Sequence, residues 1–292
     1  MRTNVEMLEA TVKVYEQRGK GTALRRTLAL AAVAGIVASA GIMASVALAP
    51  GTARAANPVP LPAALANHPF VTEKDASQLL AWGPGNNDPG NCSANTSEIQ
   101  GDANNITLST TGDAGDCTDV ESPHTYPTTD GYVYESYVYF SNWEDWPAFW
   151  MYGNNWPSGG EIDAVEANFD NNGVSYHYGS ASDPQYVSTF DNSGITPQSV
   201  NISPGWHTID ISFGGCGSGC GAISVWYDGK LYATVSGDFV VNGPDDPNWI
   251  VYSEGSCDMP DPSNPQDSNN VCAPGAEGVP GHIEVAWLRI FD

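Results

Sequence analysis

The chain has 292 residues, with 34 acidic and 10 basic side chains and a formal net charge of −24 at pH 7. Seven of the ten basic residues lie within residues 1–55, so residues 56–292 keep only Lys74, Lys230 and Arg289 against 31 acids, a net charge of −28. Neutralising phosphates needs a basic surface, so nucleic acid is excluded as a partner, and sulfated or carboxylated polysaccharides are poor candidates.

Residues 1–55 are predicted to be an export segment. Basic residues precede the nearly continuous apolar run 27–49, and residues 53–55, Ala-Arg-Ala, fit an A-x-A cleavage site. The apolar run is also long enough for an uncleaved membrane anchor, but the cleavage site favours a secreted chain. We expect no membrane association after cleavage. Residues 56–69, rich in Pro and Ala, are predicted to be a linker.

Residues 70–292 alternate short apolar runs with clusters of Gly, Asn, Asp, Pro and Ser. Many short strands joined by turns, without a long stretch of helical periodicity, indicate an all-β sandwich or barrel. Asp228-Gly229 is a strong hairpin signal between two of these strands. Besides the acidic segment described next, the predicted strands are 132–140, 148–152, 173–178, 207–213, 223–227, 231–235, 249–253 and 283–291.

The segment Glu161-Ile-Asp-Ala-Val-Glu166 places three carboxylates on a stretch that otherwise has the character of a buried strand. Glu161 and Asp163 are two positions apart and therefore share one face of a strand. Glu166 would face the other way unless one residue among Ala164 and Val165 forms a bulge, which we predict. On such a strand the two glutamates can lean toward the ~5–5.5 Å carboxyl separation of a retaining glycosidase.

Retaining glycoside hydrolysis needs this pair, because one carboxylate attacks the anomeric carbon while the other protonates the departing oxygen. Asp163 can hold a hydrogen bond or a shared proton, and so help to separate the pKa values of the two glutamates. The alternative is an acidic strand edge or a cation site. Trp156-Pro157 and Gly159-Gly160 favour catalysis, since an aromatic face stacks on a sugar ring and glycine permits close approach.

These residues resemble the signature of glycoside hydrolase family 16, over about residues 130–292. The resemblance rests on Phe149-Trp-Met151, Trp156-Pro157 and the acidic segment, with supporting matches at 205–210, 225–230 and 285–291. It implies a two-sheet antiparallel β-jelly-roll sandwich, concanavalin A-like, with a concave substrate cleft, and one catalytic domain over residues 70–292. It also implies Glu161 as nucleophile, Glu166 as general acid/base and Asp163 as an assisting residue.

The family form with two residues between the Asp and the second Glu carries the bulge and is typical of β-1,3-glucanase and agarase-like branches. The resemblance therefore implies a secreted, retaining endo-β-glucanase that acts on a neutral β-glucan, with β-1,3-glucan favoured. A transglycosylase with the same covalent intermediate and a catalytically silent glucan-binding protein are the alternatives. The presence of both Glu161 and Glu166 argues against the silent protein. We expect a monomer.

Substrate-binding residues are predicted mainly among the aromatic side chains, because glucans stack their rings on them. Trp156 is the strongest candidate, since it matches the family's Trp just before the catalytic strand. His177, on the neighbouring strand, is implied to bond the catalytic acid or a sugar hydroxyl, and Glu254 is a weaker candidate for lining the cleft. His207 is interpreted as structural. The other candidates, for which core packing is the alternative, are Trp143, Trp146 and Trp150.

All six cysteines lie in the exported part of the chain, which favours disulfides over metal ligands or catalytic thiols. Pairing between neighbours in sequence predicts the disulfides Cys92–Cys117, Cys216–Cys220 and Cys257–Cys272. We predict no cofactor and no metal in the site. Family members often carry a structural calcium bound by an Asp of the last strand, but this chain has Ala286 there, so calcium is not expected.

Overall fold

In the described part of the computed structural model, two antiparallel β-sheets face each other, and a short helix lies beside them. The structure describes residues 65, 70–82, 98–112, 116–168, 171–190, 194–195, 202–217, 220–241, 247–255 and 279–292, all within one compact unit, Ala49–Asp292. The elements are β1 (Thr72–Asp75), α1 (Ala76–Leu80), β2 (Ile99–Gly101), β3 (Ile106–Ser109), β4 (Cys117–Glu121), β5 (Val133–Phe140), β6 (Trp146–Gly153), β7 (Glu161–Asn168), β8 (Asn171–Ser180), β9 (Asp183–Ser188), β10 (Gly205–Gly217), β11 (Cys220–Tyr227), β12 (Lys230–Gly237), β13 (Asn248–Gly255) and β14 (His282–Phe291).

The strands form one eight-stranded and one six-stranded sheet. The larger sheet has the order β12-β11-β10-β5-β14-β3-β2, and β1 also pairs with β14. The smaller sheet has the order β4-β13-β6-β7-β8-β9, so β7 lies near its centre. The named strands all pair antiparallel. The predicted two-sheet, all-β jelly-roll fold is confirmed.

The main core lies between the sheets, and the alternation of residues along the strands follows from it. In β5, Tyr134, Val138 and Phe140 are buried among the core residues, whereas Glu135 and Tyr137 alternate with them and are only half-buried. Successive side chains of a strand point to opposite faces, so this pattern gives each sheet an inner apolar face and an outer, more polar one.

Two buried tyrosines reach across the core from one sheet to the other. The Tyr252 hydroxyl, on the six-stranded sheet, lies 2.8 Å from the Ser136 hydroxyl of the eight-stranded sheet. In the other direction, the Tyr227 hydroxyl donates to the backbone carbonyl of Ala164 in β7 at 2.7 Å. A buried phenol usually finds a hydrogen-bond partner, and here the partners fix the two sheets against each other.

The eight predicted strands correspond to β5, β6, β8 and β10 to β14, each within a few residues at its ends. The predicted hairpin is present between β11 and β12, where Asp228 has a φ of 51° and Gly229 a φ of 71°. Strands β1 to β4, strand β9 and helix α1 were not predicted. Asp75 begins α1 with a capping box, in which its carboxylate accepts from the Gln78 backbone and the Gln78 side chain accepts from the Asp75 backbone.

The predicted export segment and most of the predicted linker lie outside the described residues. Leu65, within the predicted linker, is buried with Val133 and Phe291. Among the described helices, none has the length and apolar character needed to cross a bilayer.

Cys117 in β4 is disulfide-bonded. Cys92, Cys257 and Cys272 lie outside the described residues, and the side chains of Cys216 and Cys220 are not described. The three predicted disulfide pairings therefore stay predictions.

Candidate active site

The three acids of β7 lie together because the strand is bulged. Its pairing with β6 and with β8 shifts register between Asp163 and Glu166. Ala164 and Val165 are both buried in the core between the sheets, so the alternation resumes with Glu166 on the face of Glu161 and Asp163. The predicted bulge is confirmed, and it gathers all three carboxylates on the outer face of the six-stranded sheet. We term this surface around β7 the acidic face.

His177 on β8 lies between two of these carboxylates. Its Nε2 atom is 3.6 Å from Glu161 Oε1 and 3.4 Å from Asp163 Oδ2. Burial lowers the pKa of His177, but the contact with Asp163 and the negative charges of Asp163, Glu161 and Glu166 outweigh it and raise the pKa to about 9. At neutral pH His177 is therefore an imidazolium that partly balances the acids. Sequence reasoning had placed His177 near the acids, as the structure does.

Glu166 is the acid with the most perturbed proton affinity on this face. Burial, followed by the negative charge of Asp163, raises the pKa of Glu166 to about 7. Three groups oppose this rise: the Ser175 hydroxyl, which donates to Glu166 Oε2 at 2.6 Å, the charge of His177 and a hydrogen bond from Trp146. A carboxyl with a pKa near neutrality can both give and take a proton, which suits a general acid/base.

An aromatic ring contributes to the dry surroundings of Glu166. The cross-strand partner of Glu166 on β8 is Gly173, and a Cβ atom on that glycine would lie 2.5 Å from the Phe190 ring. The ring therefore occupies the space of a side chain at Gly173. Because facing Cβ positions of paired strands are about 5 Å apart, the ring lies close to Glu166 and helps to exclude water from it.

The oxygens of Glu161 and Asp163 and a nitrogen of His177 lie within 4.8 Å of one another, a spacing that could hold a metal ion. Only a neutral imidazole binds a metal, so an ion there would have to displace the proton that the raised pKa of His177 favours. The imidazolium lies within 3.6 Å of both carboxylates.

Two exposed aromatic rings lie near His177. Trp156 is 40% exposed, with its ring 6.3 Å from the imidazole, and Tyr186 of β9 is 54% exposed and stacks on the imidazole at 5.9 Å. Tyr186 was not predicted, because strand β9 itself was missed. Trp150 also belongs to the acidic face: it pairs with Asp163, stacks on Tyr152 at 5.2 Å and donates from its indole to Ser253. It is nearly buried, so only its rim is available.

Two predicted substrate-binding residues are wrong. Trp143 is 7% exposed and belongs to the main core, where its indole donates to the Ile202 carbonyl. Glu254 alternates with Ser253, which faces the acidic face, so Glu254 points inward with Tyr252 and is 1% exposed. Trp143 was predicted from its aromatic ring and Glu254 from its position close to the end of a predicted strand, and neither signal reveals which side of the sheet the side chain takes.

The structure places Trp146 beside Glu166 and His207 on the eight-stranded sheet. Trp146, at the start of β6, hydrogen-bonds Glu166 and so belongs to the acidic face. His207 contacts Asp228 at 2.8 Å and the Ser203 carbonyl at 2.7 Å, which is a structural role. Ser175 was missed, although it lies two positions before His177 and therefore on the same face of β8.

Comparison with protein families gives one match that contains the acidic segment. Residues 87–226 match the model described as the XgeA-like catalytic domain of glycoside hydrolase family 16. No curated protein matches the chain. The match, the bulged Glu-x-Asp-x-x-Glu strand and the jelly-roll fold agree, and together they support assignment of the chain to glycoside hydrolase family 16.

Solved structures share the fold at low sequence identity. A mutant of SCLam, a non-specific endo-β-1,3(4)-glucanase from family 16 with a 1,3-β-D-cellobiosyl-glucose at its active site, has a TM-score of 0.53 and 14% identity over 82% of this chain and 100% of its own. A structure from work on endo-acting O-glycanases of the human gut microbiota has a TM-score of 0.53 and 15% sequence identity, over 77% of this chain and 99% of its own. A pseudo β-1,3-glucanase of Mycobacterium tuberculosis has a TM-score of 0.48 and 18% sequence identity, over 67% of this chain and 78% of its own.

Proposed function

We propose that this protein is a secreted, retaining endo-β-glucanase that hydrolyses a neutral β-glucan, with β-1,3-glucan as the preferred substrate. The observation that carries the proposal is the bulge of β7, which puts Glu161 and Glu166 on one face of a single strand. Their surroundings differ: Glu161 lies beside the His177 imidazolium, whereas the pKa of Glu166 is about 7. A retaining glycosidase needs this asymmetry between an ionised nucleophile and a protonated acid.

In the first step the Glu161 carboxylate attacks the anomeric carbon and forms a glycosyl ester. The bond between that carbon and the glycosidic oxygen breaks, and the proton of Glu166 goes to the departing oxygen. The positive charge of His177 near Glu161 favours the ionised nucleophile before attack.

In the second step the ionised Glu166 takes a proton from water, and the resulting hydroxide displaces Glu161 from the sugar. The enzyme then regains its starting state, with Glu166 protonated and Glu161 ionised. Asp163 lies between the two glutamates, where its charge raises the pKa of Glu166 and its carboxylate holds the imidazolium. Asp163 thereby keeps Glu166 protonated until it delivers its proton to the departing oxygen.

The charge distribution supports a neutral substrate. Among residues 56–292 the only Lys and Arg residues are Lys74, Lys230 and Arg289. They lie on β1, β12 and β14, which all belong to the eight-stranded sheet, so no strand of the acidic face carries Lys or Arg. His177 is held by two carboxylates and leaves little positive charge for sulfate or uronate.

The aromatic rings support binding of a long chain. Trp156 and Tyr186 both lie near His177, so sugar rings can stack beside the acids. The preference for β-1,3-glucan rests on the bulged form of the motif, and the endo-β-1,3(4)-glucanase described above shares this fold.

The test is a substrate panel with the wild-type protein and Glu161→Gln. Laminarin, lichenan, agarose, xyloglucan and carrageenan are compared at low salt by release of reducing sugar, and NMR follows the anomer formed first. We expect cleavage of laminarin, release of the β-anomer and no turnover by Glu161→Gln, which keeps the size of the side chain but cannot attack. Glucan binding without turnover by the wild type would identify a silent binding protein, and robust cleavage of carrageenan would contradict the neutral-substrate proposal.

A further inference from the structure

A second pair of acids lies away from the acidic face, at the inner side of the six-stranded sheet. Asp145 directly precedes β6, and Glu254 lies near the end of β13, which pairs with β6. Both side chains are nearly fully buried, and Glu254 is only 1% exposed. Neither residue takes part in the proposed reaction.

The two carboxylates converge on Gly281, just before β14. A Cβ atom on Gly281 would lie 2.5 Å from Asp145 Oδ2 and 2.9 Å from Glu254 Oε1. Any larger residue at this position would displace one of the acids. Oxygens from the segment before β6 and from β13 thus face one small space, which is bounded by the chain that enters the opposite sheet.

Glu254 has no hydrogen-bond donor in this space. Both of its carboxylate oxygens are buried without a partner. The nearby donors are used elsewhere: the Thr110 hydroxyl donates to Asp145 Oδ2 at 2.6 Å, and the Gly281 amide donates to that hydroxyl at 3.2 Å. Thr118, the cross-strand partner of Glu254, donates its hydroxyl to Glu98 and Ser109.

A buried carboxylate without a donor is unfavourable unless a positive charge or a proton neutralises it. Burial and the negative charge of Asp145 raise the pKa of Glu254 well above its usual range. Glu254 makes no ion pair with Lys or Arg within the described residues. A hard divalent cation would neutralise both acids at once and would use oxygens as ligands, as Ca²⁺ prefers.

We propose that Asp145 and Glu254 bind a calcium-class cation between β6, β13 and the segment before β14. Asp145 Oδ2 and the Glu254 carboxylate are the charged ligands, and backbone carbonyls or water complete the coordination. The site is separate from position 286 on the last strand, and the proposal does not depend on the proposed glucanase activity. By joining strands of both sheets at one end of the sandwich, the cation would stabilise the fold rather than take part in catalysis.

The experiment uses the full chain, freed of metal with EDTA and dialysed, at pH 7. Ca²⁺ is titrated by isothermal calorimetry, and the melting temperature is followed with and without it. We expect one Ca²⁺ per chain with a Kd of ~10⁻⁶–10⁻³ M. We also expect a rise in Tm of roughly 4 °C or more at saturating calcium.

Glu254→Gln should lose the stoichiometric binding and the rise in Tm. Glu144→Gln is the matched control, because Glu144 is exposed next to Asp145 and its replacement changes the net charge equally. The control should respond to Ca²⁺ as the wild type does, which separates this site from diffuse binding to an acidic surface. If Glu254→Gln does not fold, the Ca²⁺ calorimetry of the wild type and of Asp145→Asn tests the proposal instead, and Asp145→Asn should lose the stoichiometric binding. Absence of stoichiometric binding by the wild type, as expected for a proton shared between the acids, would overturn the proposal, as would an equal response of Glu254→Gln.

Discussion

Each outer face of this sandwich contains a buried carboxylate, and the groups around that carboxylate differ between the two faces. On the acidic face, Glu166 accepts from Ser175 and feels the charge of His177, and its pKa is about 7. The opposite face is the outer face of the eight-stranded sheet, which carries Glu135, Tyr137, Trp206, Asp210 and Arg289. There, Asp210 Oδ1 has no partner, and burial, then the charge of Glu135, raises the pKa of Asp210 to about 8.

The positive charges of the two faces are used differently as well. On the opposite face Arg289 contacts Glu135 at 3.6 Å and Glu73 at 3.4 Å, and its guanidinium stacks on Trp287. Among the described residues, Arg289 forms no ion pair with the buried Asp210. On the acidic face, the imidazolium and a hydroxyl leave Glu166 able to exchange its proton. A raised carboxyl pKa therefore marks a reactive group only where partners and exposed aromatic rings accompany it.

The largest difference between the faces should appear in catalysis. Glu166→Ala is expected to slow glucan hydrolysis by ~10²–10⁴-fold, because the departing oxygen loses its proton donor. Aryl glycosides with acidic leaving groups need little protonation and should suffer much less in the first step, and azide should rescue the second. Glu135→Ala, on the opposite face, should leave kcat/KM unchanged in the folded protein. Equal loss on both substrates without rescue would mean that Glu166 is not the acid/base.

The opposite face should instead control stability at alkaline pH. The pKa of Asp210 is raised in the folded state from 3.8 to about 8, so the folded protein binds the proton more tightly than the unfolded chain. Stability from this group is present below about pH 4 and is lost as the pH rises toward 8. Asp210→Asn should therefore raise the unfolding free energy at pH 8.5 by ~1–3 kcal/mol relative to its effect at pH 4. Denaturant titrations at both pH values measure this, and a gain independent of pH would exclude ionisation as the cause.

The exposed tryptophans of the two faces offer a matched pair for binding. Trp156 is 40% exposed beside His177, whereas Trp206 is 37% exposed but stacks on Tyr137 at 4.7 Å. Trp156→Ala should weaken glucan binding by ~1–2 kcal/mol at any salt concentration, the scale of a lost aromatic contact. Trp206→Ala should leave binding unchanged. Both substitutions are made in the inactive Glu161→Gln protein, and their glucan affinity is measured by affinity electrophoresis or calorimetry. Equal losses of affinity for both variants would point to a general destabilisation.

The smallest expected effect concerns the pH profile. The Ser175 hydroxyl lowers the pKa of Glu166, so Ser175→Ala should raise that pKa and keep the acid protonated to higher pH. The alkaline limb of kcat/KM, expected near pH 7 in the wild type, should move upward by a fraction of a pH unit to about one unit. A limb that stays in place while the rate falls would show that Ser175 acts only in packing.

Much of the site could be predicted because local rules govern it. Two acids separated by one residue share a strand face, and the third can return only through a bulge. The motif therefore predicts the arrangement of β7 before any contact is known. The strands of the second half were predictable for the same reason, since their alternation records which side faces the core.

The missing parts depend on contacts between distant residues. Strand β9 begins with four exposed residues, so its sequence shows no alternation, and Tyr186 was missed with it. Glu254 was assigned to the wrong side because an inward and an outward residue of a strand differ by one position in register, which sequence alone does not fix here. Trp143 lies in the connection between β5 and β6, where no strand alternation indicates which way its ring points. For Glu254 the error was also chemical, since a carboxylate is not expected inside a core.

The hydrogen bond from Tyr227 to the Ala164 carbonyl shows that the bulge is not a property of β7 alone. The bond joins residues 63 positions apart, on different sheets, and is buried at the point where the strand departs from regular pairing. The catalytic motif is therefore not a portable module. A segment spanning β6 to β8, grafted onto another scaffold, would bring all three acids but lack the distant phenol that satisfies the bulged backbone. When the motif is transferred by engineering or by recombination between relatives, β11 has to be transferred with it to preserve the spacing of the acids.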